Sequence, residues 1–297
     1  AALPSVRSRA LRALAYAVVL LAIEVVGALA ALGAWALRRA GDQRLHYDVL
    51  HALLDAAVRW AGRLLGLRLV TDGTGWSPLD DGVPGSTNAM VVLGRHAGPG
   101  DSLLLVQTLL DRDHVRRPRV VLKDLLRLDP LVDLYLGRLP NAFLPPGSDT
   151  ETLVADVARS LGTEDALLVF PEGGNYSPAR KARALQRLRA RGLVDAADQA
   201  ERMRYSLPPR PAGVGAALAA APHADVVFVA HAGLDALSSP GDLWRGIPLR
   251  SPVRLRWDFV AAAEVPRERA AQVDWLFRRW AEMDAWVERH SAHPSAP

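Results

Sequence analysis

From Ala13 to Leu37 nearly every residue is apolar, with Glu24 the one charge inside the run and arginines at 7, 9, 12, 38 and 39 around it. A run this long predicts a helix able to cross a bilayer, because roughly 20 apolar residues at 1.5 Å rise span the hydrocarbon core. It exceeds the apolar region of a signal peptide, and no clear cleavage site follows. Arginines flank both ends almost equally, so the charge rule for loops gives no orientation. The period changes between His46 and Leu65. There Leu50, Leu53, Leu54, Ala57, Ala61, Leu64 and Leu65 recur at helical spacing, with Asp48, Asp55, Arg59 and Arg63 between them. This predicts an amphipathic helix, which fits packing on a domain and lying on a membrane equally well.

Beyond this hairpin, short apolar runs predict strands at Leu67–Val70, Ala89–Leu93, Val120–Lys123, Ala142–Leu144, Ala166–Phe170, Val226–Ala230 and Val253–Val260. Helical patterns separate several of them: Ser102–Leu110, Thr150–Leu161 and Gly213–Ala221. Strand–helix alternation predicts an α/β domain with a mostly parallel central sheet flanked by helices. Thr74–Thr87, rich in Gly, Pro, Ser and Asp, reads as a surface loop. Arg180–Arg204 reads as a charged helical excursion that interrupts the strand order. A terminal helix is expected from Pro266 to about His290, with Val273, Leu276, Phe277, Trp280 and Met283 on one apolar face. The boundaries expected are an N-terminal membrane-associated segment over 1–66, the α/β domain over 67–290 and a tail over 291–297.

Composition narrows the chemistry. There is no cysteine among the 297 residues, which excludes disulfides, thiolate catalysis and Cys-bound metals. The net charge of +4 and pI of about 9.8 favour anionic surfaces without choosing among them. Nucleic acid is not an expected partner: the basic residues of 180–204 are interleaved with acids and Leu, with no aromatic stacking set. No Gly-x-Ser-x-Gly elbow points to a serine hydrolase, and no paired histidine spacing points to a metal.

Two segments carry candidate chemistry. In Val91-Val92-Leu93-Gly94-Arg95-His96-Ala97-Gly98-Pro99-Gly100-Asp101, a buried strand runs into a loop of small residues and a helix start. Of eight histidines, His96 alone has an Asp five residues later. If the loop folds back, Asp101 reaches His96 and the pair is a general base with an orienting carboxylate. By itself the spacing fits an ordinary helix cap as well. In Ala166-Leu167-Leu168-Val169-Phe170-Pro171-Glu172-Gly173-Gly174 a second strand ends in a polar turn, where backbone N–H groups can meet a phosphate or an acyl carbonyl.

Together these segments resemble the glycerolipid acyltransferase family, which includes lysophosphatidic acid acyltransferases and other lysophospholipid acyltransferases. The family's His-x4-Asp block is matched by His96 and Asp101, and its Phe-Pro-Glu-Gly block by Phe170-Pro171-Glu172-Gly173. The resemblance covers roughly residues 88–231. It implies O-acyl transfer of the 1-acylglycerol-3-phosphate acyltransferase type, from acyl-CoA or acyl carrier protein to a hydroxyl of a lysophospholipid-type acceptor, in phospholipid biosynthesis or remodelling. It implies no cofactor beyond that co-substrate and no metal. His96 and Asp101 are the implied catalytic pair, with backbone donors near Gly173 or Gly98–Gly100 facing the oxyanion. Arg95, Lys123, Glu172, Gly173, Gly174, Asn175, Lys181 and Arg210 are the implied substrate contacts. The implied partner is a phospholipid bilayer, in a bacterial inner membrane with the site facing the cytoplasm. Two departures stand out. Asn175 occupies the place of the family's phosphate-binding Arg, and the second block, Gly137 to Pro146, has Pro where Arg is usual. An altered acceptor headgroup follows as an expectation, and a non-catalytic lipid-binding protein on the same fold is the rival reading.

Overall fold

The structure, a computed structural model, describes residues 6–71, 88–98, 100–110, 116–145, 147–234 and 240–291. The loop expected at 74–87 and all of the tail beyond Ser291 lie outside the described residues. Seven strands among the described residues form one sheet: β1 (Leu69–Thr71), β2 (Met90–Gly94), β3 (Arg117–Lys123), β4 (Ala142–Leu144), β5 (Asp165–Val169), β6 (Asp225–Ala232) and β7 (Val253–Val260). Their spatial order is β1-β7-β6-β2-β5-β3-β4. The five strands from β6 to β4 run parallel, while β7 pairs antiparallel with β6 and parallel with β1.

The near-continuous apolar runs of the central strands have a direct cause: both faces of the sheet are covered. Val91, Leu93, Leu167, Val226, Phe228 and Ala230 pack into one core, whereas Met90, Val92, Ala166, Leu168, Val227 and Val229 pack into another on the opposite face. The first face is roofed by helices α4 (Thr150–Arg159), α5 (Pro178–Ala190), α6 (Val194–Arg202), α7 (Pro211–Ala220) and α9 (Arg269–His290). Trp275 and Trp280 of α9 meet Phe228 edge-on at ring separations of 5.2 and 6.5 Å. The second face is covered by α2 (Gln43–Leu65) and α3 (Asp101–Leu110).

Helix α1 (Val6–Ala36) runs antiparallel to α2. Arg12 donates to the Leu64 carbonyl at 2.8 Å and the Tyr16 hydroxyl to the Ala57 carbonyl at 3.3 Å. Only Gly27, Ala31 and Ala34 of α1 are buried. Leu11, Leu14, Val18, Leu21, Val25, Leu29 and Leu32 are all more than half exposed, at spacings of three and four that trace one continuous apolar stripe. Helix α2 lies between α1 and the domain. Its Leu53 packs with Ala31 and Tyr135, its Leu50, Leu54 and Val58 pack on the sheet, and the Tyr47 hydroxyl donates to the Pro118 carbonyl at 3.2 Å. Of the two placements open for this amphipathic helix, the structure shows packing on the domain.

Some boundaries differ from expectation for local reasons. The 180–204 excursion is two helices, α5 and α6, because the chain turns through Gly192 at φ 73°, a left-handed conformation that favours glycine. Residues 124–136 contain a 3-10 turn (Asp124–Leu128) and a π-helical turn (Val132–Leu136), with Asp129-Pro130 between them. A further short helix, α8 (Pro240–Gly246), precedes β7.

Candidate active site

Strand β2 is flanked by β5 and β6, and all three run in the same direction. The C-terminal edge of parallel strands is open because the following loops diverge there, so ligand sites collect on it. The pairing continues one residue past β2, with Arg95 donating its N–H to the Val229 carbonyl at 3.1 Å. His96 then leaves the ladder, and the loop turns back into α3, whose first residue is Asp101.

The Asp101 carboxylate is the hub of that turn. It accepts N–H bonds from Ala97 at 2.7 Å, Gly98 at 3.0 Å and Ser102 at 2.6 Å, and its Oδ2 lies 2.9 Å from His96 Nδ1. It is 1% exposed. Burial on its own would raise its pKa. The hydrogen bond and charge of His96, the nearby His231 and the Gly98 N–H outweigh it and hold the carboxyl below its ordinary range. An ionised partner on Nδ1 fixes the His96 tautomer with its proton on Nδ1 and a lone pair on Nε2. The imidazole is 22% exposed, and the Phe170 ring sits against it at 4.8 Å between centroids. This is the geometry of an oriented general base.

Phe170 needs room to hold that position, and Gly94 provides it. A Cβ at Gly94 would stand 2.9 Å from Leu105 Cδ1 and 3.0 Å from Phe170 Cε1. Gly94→Val should therefore displace Phe170 and with it the His96 ring, at an overpacking cost of about 1–3 kcal/mol. The expected result is a folded protein with kcat reduced by about tenfold or more, since small misplacements of a catalytic group are expensive. Unchanged kcat in a variant with an unchanged circular dichroism spectrum would show that this contact does not position the ring.

The other expected site residues separate into two groups. Arg95 and Glu172 are buried rather than facing a substrate, at 0% and 2% exposure. Arg95 donates to the carbonyls of His231 at 3.0 Å and Tyr205 at 2.6 Å, tying the ends of β2 and β6 to the segment before α7. Glu172 accepts the N–H of His96 at 3.2 Å through Oε1 and that of Leu207 at 3.0 Å through Oε2. Burial pushes its carboxyl up to about 8, against the pull of Arg95 and of the two N–H donors. Both residues hold the histidine loop in place from behind. Lys123 is exposed at the end of β3, and Lys181 donates to the carbonyls of Glu201 and Met203, bracing α5 against α6. Neither lines the cleft beside the glycine turn.

Gly173, Gly174 and Arg210 do line it, and Asn175 is bound to it through its carbonyl, which accepts from Arg180 at 2.9 Å. Gly173 has φ 67°, and its N–H closes the turn on the Phe170 carbonyl at 3.1 Å. The N–H of Gly98 is likewise engaged, by Asp101. These two amides are therefore not available as oxyanion donors, which leaves that of Gly100 among the expected ones. Among the described residues, no group of three or more His, Asp or Glu is placed to hold a metal ion.

With this geometry in view, a model of the acyltransferase family matches residues 81–229, half of the chain. The chain belongs to the acyltransferase family. The matched span contains His96, Asp101 and Glu172 together with strands β2 to β5 and the first five residues of β6. A comparison with curated proteins finds no match. Two further features complete the site of this acyltransferase. One is His231, whose Nε2 donates to the Arg95 carbonyl at 2.9 Å and lies 3.8 Å from Asp101 Oδ2. The other is the set of arginines on α5 that faces the glycine turn. Their signal was present, since 180, 183, 187 and 191 recur at helical spacing, but a solvated helix face has the same pattern.

Proposed function

We propose that this acyltransferase is anchored in a membrane and transfers a fatty acyl group from the thioester of acyl-CoA or acyl carrier protein to a hydroxyl of a lysophospholipid-type acceptor. The observation that carries the reading is the His96–Asp101 pair at the open end of β2, with Nε2 left as the acceptor. His96 Nε2 takes the proton of the acceptor hydroxyl as its oxygen attacks the thioester carbonyl. The C–S bond of the tetrahedral intermediate then breaks, the ester remains on the acceptor, and the imidazolium returns the proton to the departing thiolate. No covalent enzyme intermediate is required, in keeping with a chain that has no cysteine. The test is to incubate purified full-length protein with a labelled acyl-CoA and a panel of lysolipids. Ester product with at least one lysolipid, lost in His96→Ala, is expected. Tight lysolipid binding without any product would support a non-catalytic lipid-binding protein instead.

Helix α1 supports the membrane part of the proposal. Its 31 residues extend about 45 Å, more than a hydrocarbon core of about 30 Å. Its leucine and valine stripe faces outward instead of into the protein, which is the reverse of a soluble core helix. Exposed Leu125 and Leu128 lie on the 3-10 turn that leads into the segment touching α1. Membranes containing the expressed protein should retain it through a carbonate or high-salt wash. Quantitative release by salt alone would mean electrostatic contact only, because salt screens exposed charges within about 8–10 Å. The inner membrane of a bacterium, with the site on the cytoplasmic side where acyl thioesters are made, is the location proposed.

A further inference from the structure

A second histidine stands behind His96 at the catalytic edge. His231 lies near the end of β6, whose eight residues are all buried, and it is itself 0% exposed. Burying an imidazole in so apolar a strand costs free energy unless its polar atoms are bonded. Its Nε2 donates to the Arg95 carbonyl at 2.9 Å. That carbonyl belongs to the peptide unit joining Arg95 to His96. The N–H at the other end of the same unit donates to Glu172 Oε1 at 3.2 Å. The last peptide plane before the His96 Cα is therefore gripped at both ends, by buried side chains from two different parts of the fold. On the β6 side the grip is reciprocal, because Arg95 Nη1 donates back to the His231 carbonyl at 3.0 Å. The backbone ladder between β2 and β6 ends with the Arg95 N–H on the Val229 carbonyl at 3.1 Å. From there on, side chains take over the task of fixing the direction of the chain.

Resting on the acyl-transfer reading of the His96–Asp101 pair, we propose that His231 is a positioning residue for that pair: it holds the 95–96 peptide plane against Glu172 and so aims the His96 ring. A plane fixed at both ends cannot rotate, and its orientation sets where the His96 Cα–Cβ bond points. His231 carries no proton in the reaction. It is shut away from solvent, and its Nε2 lies 3.8 Å from Asp101 Oδ2, beyond hydrogen-bond length. What the site requires of residue 231 is an N–H donor at the place of Nε2. A leucine there would suit the apolar surroundings of β6 but would leave the Arg95 carbonyl without this donor. A glutamine carries its amide nitrogen nearly as far from Cα as Nε2, so it restores the donor, and it does not titrate.

The test compares full-length His231→Leu and His231→Gln with wild type in detergent, each well below its thermal midpoint. In proton NMR of protein labelled with 15N-histidine, the His96 Nδ1–H held by Asp101 gives a downfield signal, identified by its loss in His96→Ala. That signal should persist in His231→Gln and should broaden or vanish through exchange with water in His231→Leu. With an acyl thioester and a lysolipid that wild type accepts, kcat should fall about tenfold to a hundredfold in His231→Leu, as expected for a misplaced catalytic group. KM for both substrates should stay within about twofold, since the imidazole acts on the transferred proton. His231→Gln should recover most of kcat, with the acid limb of its pH profile where wild type has it, because the titrating base is His96. A leucine variant that keeps both the signal and kcat would overturn the proposal. A loss in the leucine variant that glutamine does not repair would overturn it too, because packing or proton transfer by His231 would then be at stake. The NMR signal needs no turnover, so it decides the positioning role even if wild type transfers no acyl group, an outcome that would remove only the acyl-transfer reading.

Discussion

Replacing His96 by alanine should lower acyl transfer by about 10²–10⁴-fold, the usual contribution of a general base, without unfolding the protein. The fold should survive because Asp101 does not depend on the imidazole for satisfaction. Its carboxylate keeps the N–H groups of Ala97, Gly98 and Ser102. The effect should fall on kcat, with KM for both substrates changed little, since the imidazole acts on the transferred proton. Transfer within about twofold of wild type by a folded variant would remove His96 from the mechanism. Asp101→Asn is a less clean experiment. An amide would turn NH2 toward donors that now meet a carboxylate oxygen, so it would disturb the loop as well as the tautomer.

The second large effect is expected at Glu172, on stability. Glu172→Ala leaves the N–H groups of His96 and Leu207 without acceptors in a buried place and opens a void beside Arg95. Each buried unsatisfied donor costs about 1–3 kcal/mol, so a loss of about 2–5 kcal/mol is expected. Activity should fall with it, because the histidine loop loses its support. The same carboxyl makes a pH signature. Its pKa is raised from the ordinary 4.5 to about 8 by burial, so above 4.5 the unfolded chain binds fewer protons than the folded one. This group's contribution to stability is therefore full below 4.5 and declines as pH rises to about 8. Thermal midpoints across pH 5–8 should show the decline in wild type and a flatter profile in Glu172→Gln. A midpoint that rises with pH in wild type and stays unchanged in the glutamine variant would contradict the assignment.

Much of the architecture was legible because the strands are buried on both faces. Val91 to Leu93, Ala166 to Phe170 and Val226 to Ala230 are continuous apolar runs that no amphipathic helix would show. The His96–Asp101 pair was legible for a related reason. A strand that stops at Gly94, a loop of small residues and an acid at the next helix start let the carboxylate reach the imidazole, but the spacing alone fits an ordinary helix cap, and it was the Phe170-Pro171-Glu172-Gly173 segment that favoured the pair. Burial of charged residues was not legible. Arg95 and Glu172 are polar in the sequence, and only the convergence of β2, β5, β6 and the 205–207 segment shuts them away from solvent. The α5 arginines posed the converse difficulty. Their spacing was visible, but whether that face meets water or the glycine turn depends on how α5 packs. The antiparallel direction of β7 was hidden as well, since strand direction is a property of the connections and not of the alternation.

The close fit of α1 has a consequence for how this protein could be engineered. Tyr135 donates to the Gly27 carbonyl at 2.7 Å, and a side chain at Gly27 would lie 2.6 Å from Leu131 Cδ2. Helix α1 is thus keyed to the domain by a smooth notch at Gly27, in addition to its contacts at Arg12 and Tyr16. A generic hydrophobic helix of equal length would satisfy a lipid bilayer yet would not seat there. Grafting this domain onto another tether, or trimming it to a water-soluble reagent, requires resurfacing Leu53, Leu131 and Tyr135 first. Helix α1 and the domain behave as a single part that cannot be exchanged piecewise.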